Sequence, residues 1–188
     1  MFIEAQDITI RQMHYSDDDF DLMAKWLSDP AVLQFYEGLS NSYCREKVIR
    51  KFGPRALGED RVEACIFEFQ KIPIGYIQFY ELSESMKVEY EIVGSGNVYG
   101  IDLFIGETQY WNQGLGSVVV KKMINYLFQE KKAVKVFIDP QTRNHRAIRC
   151  YEKCGFKRLK IIPSHELFDS VLQDSLIMAI SKEDYLDN

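Results

Sequence analysis

Apolar and polar positions alternate through "ITIRQM", so Ile8, Ile10 and Met13 mark a first strand. The period then lengthens to that of a helix. In "SDDDFDLMAKWLSD", Phe20, Met23, Trp26 and Leu27 recur at helical spacing. Ser16 or Asp17 supplies the N-cap, and Asp17, Asp18 and Asp19 sit in the first turn, where the helix dipole is positive. A short segment starts at Pro30, and "SYCREKVIRKF" reads as a second helix closed by Gly53-Pro54. The middle returns to a period of two. "VEACIFEF" and "IGYIQFYEL" both alternate, which predicts a hairpin that turns at "KIP". "MKVEYEIVGSG" leaves two readings open, a short strand or an exposed loop over a site.

"NVYGIDLFIG" is apolar on both faces, as a central strand is. A glycine turn, Gln113–Gly116, follows and opens a helix over Ser117–Gln129. "AVKVFIDP" is a strand stopped by Pro140, and "NHRAIRCYEKCGF" a helix with Gly155 in the C′ position. "FKRLKII" and "DSLIMAIS" complete the strands. There is no repeat, linker or break in composition, so residues 1–188 read as one domain. Its class is α/β (α+β), a mixed central sheet flanked by helices with a crossover pair in the second half.

Composition narrows the function. Hydrophobic residues make up 46% and charged residues 27% of the 188, the balance of a globular chain. A net charge of −5 argues against non-specific nucleic-acid binding and suits a cationic ligand. Lys121 and Lys122 interrupt the most apolar stretch, and the N-terminus carries no signal-peptide pattern, which together predict a cytoplasmic protein without a membrane partner. Cys44, Cys65, Cys150 and Cys154 form no CxxC pair. His14, His145 and His165 lack metal-ligand spacing and read as surface or packing residues, so no metal is expected.

The glycine turn carries the first chemical signal. Free N–H groups at a helix start can hold an anion. No Lys-Ser or Lys-Thr pair follows, and Val119 stands where a dinucleotide fingerprint needs its third glycine, so nucleotide hydrolysis and dinucleotide binding are both disfavoured. With a central strand before it and "NHRAIRCYEKCGF" after it, this turn resembles the GNAT acetyltransferase superfamily. Trp111 departs from the pattern's usual Gln or Arg. The resemblance implies acetyl-CoA as cofactor, with its diphosphate on Gln113, Gly114, Leu115, Gly116 and Ser117. It places the pantetheine arm beside Asn144 and Ala147, and the thioester carbonyl on backbone N–H groups of Leu103, Phe104 and Ile105. Tyr151 is the implied proton donor to the leaving thiolate.

A finer resemblance, to the aminoglycoside 6′-N-acetyltransferases, rests on "FDLMAKWLSDPAVLQFYEG", "IPIGYIQFYE", "VYGIDLFIGETQYWNQGLG", "IDPQTRNHRAIRCYEKCGF" and "PSHELFDS". It implies direct acetyl transfer to the 6′-amine of an aminoglycoside, and hence antibiotic resistance. Asp102 is the implied catalytic carboxylate, as general base or as anchor for the amine. Trp26, Tyr36, Gln78, Tyr80, Asp102, Asp139 and Glu166 are the implied substrate-binding residues. A polycationic sugar needs carboxylates and aromatic faces, which these positions supply. Acetylation of a protein N-terminus or a polyamine, and a non-catalytic acetyl-CoA sensor, are the alternatives. A monomer or weak homodimer is expected.

Overall fold

The computed structural model describes residues 3–5 and 7–186. Among them, eight strands form one mixed sheet in the spatial order β1 (Ile3–Ala5), β2 (Ile8–Gln12), β3 (Glu63–Phe69), β4 (Ile72–Glu81), β5 (Asn97–Ile105), β6 (Ala133–Ile138), β8 (Val171–Ser181) and β7 (Lys157–Phe168). Helices α1 (Asp17–Trp26) and α3 (Arg45–Ala56) cover one face, where Trp26, Phe52, Tyr76 and Phe104 pack together. On the other, α5 (Leu115–Gln129) and α6 (His145–Lys153) bury Val120, Met123, Ile148 and Tyr151. Short helices α2 (Pro30–Leu33), α4 (Glu84–Glu89) and α7 (Lys182–Leu186) complete the fold. This is the mixed sheet that the sequence pattern predicts.

Most local signals act as expected. Ser16 caps α1 by accepting from the Asp19 N–H at 3.3 Å. Gly155 follows α6 with φ 96°. Three expectations need correction. Helix α3 runs through Gly53 and Pro54 to Ala56, because a proline removes only one N–H and Phe52 and Gly53 hold that turn in the core. The hairpin turns at Gln70-Lys71, both with positive φ, so Ile72 and Pro73 already belong to β4; a bulge at Phe67/Glu68 accommodates the proline. "MKVEYEIVGSG" is neither strand nor wholly loop: Ser83 caps α4 by accepting from the Met86 N–H, and a loop follows. Strand β7 also extends beyond "FKRLKII" through "PSHELF", with irregular register between Ile162 and Glu166.

The feature that positions the site is a split in the sheet. Strand β5 pairs antiparallel with β4 as far as Ile105, but parallel with β6 only from Asn97 to Gly100. Beyond Gly100 the two strands diverge, and Asp102 to Ile105 present one backbone edge to a gap. Just past the end of β5 the indole of Trp26 lies against Gly106, where a Cβ would meet its Cγ at 2.2 Å. Glu107 binds that indole from the next position, accepting from Nε1 at 2.8 Å, and also pairs with Lys25. Gly106→Ala should therefore lower stability by about 1–3 kcal/mol through overpacking, read as a lower urea midpoint.

Candidate active site

Two clefts open on the split and meet within it. The first, of about 330 Å³, runs between the start of α5 and the exposed side of α6. Its wall includes Gly114, Gly116 and Ser117 from the turn, and Asn144, Ala147, Cys150 and Tyr151 from α6. Gly114 adopts φ 79°, which a side chain disfavours, and no side chain caps α5. The N–H groups of Leu115 and Gly116 therefore lack helical carbonyls to bond, leaving an anion site with the positive end of the helix dipole behind it. Arg146, Arg149 and Lys153 line the same cleft. Asn144 caps α6, its Oδ1 accepting from the Ala147 N–H at 3.2 Å. These donors and cations fit the diphosphate of coenzyme A.

The second cleft, of about 460 Å³, has the opposite polarity. Asp102 from β5, Asp139 at the end of β6 and Glu166 from β7 all line it. Burial, and then the charge of Asp139, push the Asp102 carboxyl up to about 7. Burial raises Asp139 as well, against the Tyr90 hydroxyl that donates to its Oδ2 at 3.0 Å. Two buried carboxylates lining one cleft resist double ionisation, so the pair readily retains one proton.

Asp102 is oriented from behind. Gln78 donates from Nε2 to Asp102 Oδ2 at 2.7 Å. Its carbonyl oxygen accepts from Arg55 Nη1 at 2.7 Å and from the Tyr76 hydroxyl at 2.8 Å. With two donors on the oxygen, the amide nitrogen must face Asp102. The Tyr80 hydroxyl also favours the charged form of this carboxylate.

The clefts share Phe35, Tyr36, Leu103, Asn144 and Tyr151. Tyr151 thus stands where they join, and burial holds its phenol protonated. A base near 7 on one side of this junction and a protonated phenol on the other suit proton removal from an amine and proton delivery to a leaving group.

Of the sequence-predicted residues, the structure brings Tyr36, Gln78, Tyr80, Asp102, Asp139 and Glu166 to the acidic cleft. Leu103, Phe104, Ile105, Gly114, Gly116, Ser117, Asn144 and Ala147 line the other, and Tyr36, Leu103, Asn144 and Tyr151 line both. Three positions differ. Trp26 is fully buried and belongs to the core, because Gly106 and Glu107 hold its indole beneath the strand. Gln113 folds back to donate to the Gln109 carbonyl at 2.7 Å. The Leu115 side chain packs against the core from the first turn of α5, so only its backbone N–H belongs to the anion site. Sequence reasoning also left out Lys51 and Arg55, four apart on α3, and Arg146, Arg149 and Lys153, whose spacing of three and four marks one face of α6. His165, expected as a surface or packing residue, lines the acidic cleft.

No group of His, Cys, Asp or Glu among the described residues is arranged to hold a metal, and none of their helices is long and apolar enough to cross a membrane. A family model described as an acetyltransferase (GNAT) domain matches residues 16–163. An aminoglycoside N(6′)-acetyltransferase type 1 from Klebsiella pneumoniae is 30% identical over 151 residues, covering 80% of this chain and 74% of the relative. A kanamycin resistance protein from Rhizobium radiobacter is 41% identical over 61 residues, 32% of this chain and 56% of that one. Among solved structures, an aminoglycoside acetyltransferase bound to coenzyme A and kanamycin superposes with a TM-score of 0.75 at 24% identity, over 96% of this chain and 98% of that one. A Vibrio cholerae spermidine N-acetyltransferase bound to CoA and spermine gives 0.77 at 15% identity, over 96% and 98%. At these identities the superpositions establish the fold.

The raised Asp102 carboxyl has a sign that stability measurements can read. Its folded value lies above its unfolded one, so the folded state loses stability as pH rises from the unfolded value to about 7. Asp102→Asn should therefore melt higher than the native chain at about pH 8, with the gap shrinking as pH falls toward the ordinary carboxylate range. A gap that does not change with pH would mean that Asp102 ionises normally.

Proposed function

The chain belongs to the acetyltransferase (GNAT) domain family, and on that premise we propose that it transfers the acetyl group of acetyl-CoA directly to the 6′-amine of an aminoglycoside, with residues 1–188 acting as one domain. The observation that carries this reading is the meeting of two clefts of opposite polarity at Leu103 and Tyr151. One suits a long anionic cofactor, the other a polycation. The relatives named for aminoglycoside acetylation and kanamycin resistance support the choice of acceptor.

Bound acetyl-CoA supplies an electrophilic thioester carbonyl. In this reading the free N–H groups at the start of α5 hold its diphosphate, with Arg146, Arg149 and Lys153 adding positive charge. The unpaired edge of β5 from Leu103 to Ile105 offers N–H groups to the carbonyl oxygen. Trp111 fixes that edge by donating from Nε1 to the Ile105 carbonyl at 2.8 Å.

The acceptor amine must lose a proton before or during attack, and Asp102 receives it. An ordinary aspartate would be too weak a base, but burial brings this one to about 7, where a general base works best at neutral pH. Gln78 keeps the receiving oxygens in place. Tyr151 donates its phenolic proton as the carbon–sulfur bond breaks, because burial keeps that phenol protonated until a thiolate forms beside it. Asp139, Glu166, Tyr36 and Tyr80 line the path of the sugar rings.

Thiol release with acetyl-CoA should proceed with kanamycin and stop with an otherwise similar sugar bearing a 6′-hydroxyl. kcat/KM should rise with pH and level off above about 7, following the Asp102 carboxyl. Asp102→Asn should lower kcat by roughly 10²–10⁴-fold, and Tyr151→Phe by about 10²-fold, with the acetyl-CoA KM preserved. Equal turnover of the amine and the hydroxyl analogue would refute the assigned site of transfer.

A further inference from the structure

Each turnover leaves one proton to be removed. An alkylammonium and a thioester give an amide, a thiol and a free proton, so the Asp102 carboxyl that deprotonates the acceptor must pass the proton on. Basicity sharpens the need. Burial brings Asp102 to about 7, still below an ordinary alkylamine. A proton left there returns to the amine unless something carries it off, and an acceptor seated in the cleft keeps bulk water out.

The groups behind Asp102 cannot carry it. Gln78 Nε2 donates to the carboxylate, and an amide is neither acid nor base near neutral pH. Arg55, next in that chain, stays protonated. Burial holds the Tyr80 phenol in its protonated form.

The opposite direction differs. Asp139 acts on Asp102 through its charge, and His165 acts on Asp139 in turn. All three residues line the acidic cleft. Among the described residues, His165 Nδ1 is one of two buried side-chain polar atoms without a hydrogen-bond partner, the other being Ser175 Oγ. His165 Nε2 lies 3.4 Å from Glu89 Oε1, and the Glu89 side chain is 46% exposed. The charged and titratable groups around the ring are Glu89 and Tyr90 at the end of α4, Asp139 after β6 and Glu166 beside it on β7. The imidazole thus joins a buried, unpartnered nitrogen to a carboxylate that water reaches.

We propose that His165 is a proton-relay residue, which carries the acceptor's proton from the Asp102–Asp139 pair out to Glu89 and solvent. The inference rests on the acetyltransferase reading. With Nε2–H facing Glu89, Nδ1 carries a lone pair. An Nδ1–H bond forms as the carboxyl O–H bond breaks. The imidazolium then gives its Nε2 proton to the Glu89 carboxylate, which releases it to water. Once the product has left, exchange with water entering the cleft returns the ring to its starting tautomer.

The test is rescue of His165→Ala in steady-state thiol release with acetyl-CoA and kanamycin. kcat should fall about tenfold with the acetyl-CoA KM unchanged, and added imidazole should restore most of it in a saturable way. Thiazole, of similar size but far less basic, should restore nothing. Glu89→Gln alters a half-exposed side chain and should lower kcat about threefold at an unchanged melting temperature. Rescue by thiazole as well as imidazole would mean that the ring only fills space, and a loss that neither restores would mean that it only supports the wall. Either result overturns the relay, as do native rates in both variants. Should His165→Ala not fold, Glu89→Gln decides: a native rate overturns the relay and a lowered one supports it. A native chain that turns over no kanamycin overturns the acceptor reading and the relay with it, whereas failure of the relay alone leaves native turnover intact.

Discussion

Strands β5 and β6 share hydrogen bonds only from Asn97 to Gly100, and nearly everything the molecule offers a ligand follows from their parting there. A parallel pair that stayed together would bury Asp102 against β6 with no room for a partner. Because the strands separate, the carboxylate faces a cavity, the backbone edge of β5 is left open, and the starts of α5 and α6 converge on the same space. The separation is held from both sides. Strand β8 pairs along the other edge of β6 from Lys135 to Ile138, and β4 pairs with β5 to its end. Trp26, wedged under Gly106, fixes the chain where it leaves the sheet.

The two clefts divide the electrostatic work. Positive character on one side comes from backbone dipoles and from arginines and a lysine on one face of α6. Negative character on the other comes from carboxylates on three different strands. Neither set neutralises the other, because Leu103, Tyr36 and Tyr151 stand between them. Cys150, on the wall of the first cleft, has its thiol drawn down to about 7, first by hydrogen bonding with Cys154 and, against the opposing effect of burial, by Ser117 in the opening turn of α5.

Much of this was legible in the sequence, and the failures have physical causes. The glycine turn and the Asn144–Phe156 helix announce themselves because backbone geometry leaves few residue choices at a left-handed cap or an N-cap. Asp102 was visible as a charge inside an apolar strand, but its basicity was not, since that depends first on burial in the folded chain and then on Asp139, thirty-seven residues further along. Trp26 was misplaced because an aromatic at helical spacing looks the same whether it faces a sugar or the core; Gly106, which decides the matter, is far away in sequence. His165 read as a surface or packing residue and Ser175 as an ordinary strand position, because only the folded chain brings both to the wall of the acidic cleft.

The acidic cleft carries one more implication. Asp102, Asp139 and Glu166 repel one another across a cavity of about 460 Å³, and burial already disfavours charge on the first two. A polycation in that space acts as their counterion, and anything that binds the folded chain alone shifts the folding balance toward it. Proteases remove a protein largely through its unfolded fraction. A polycation that binds this cleft in the folded chain alone therefore also lowers the fraction of the chain open to proteolysis.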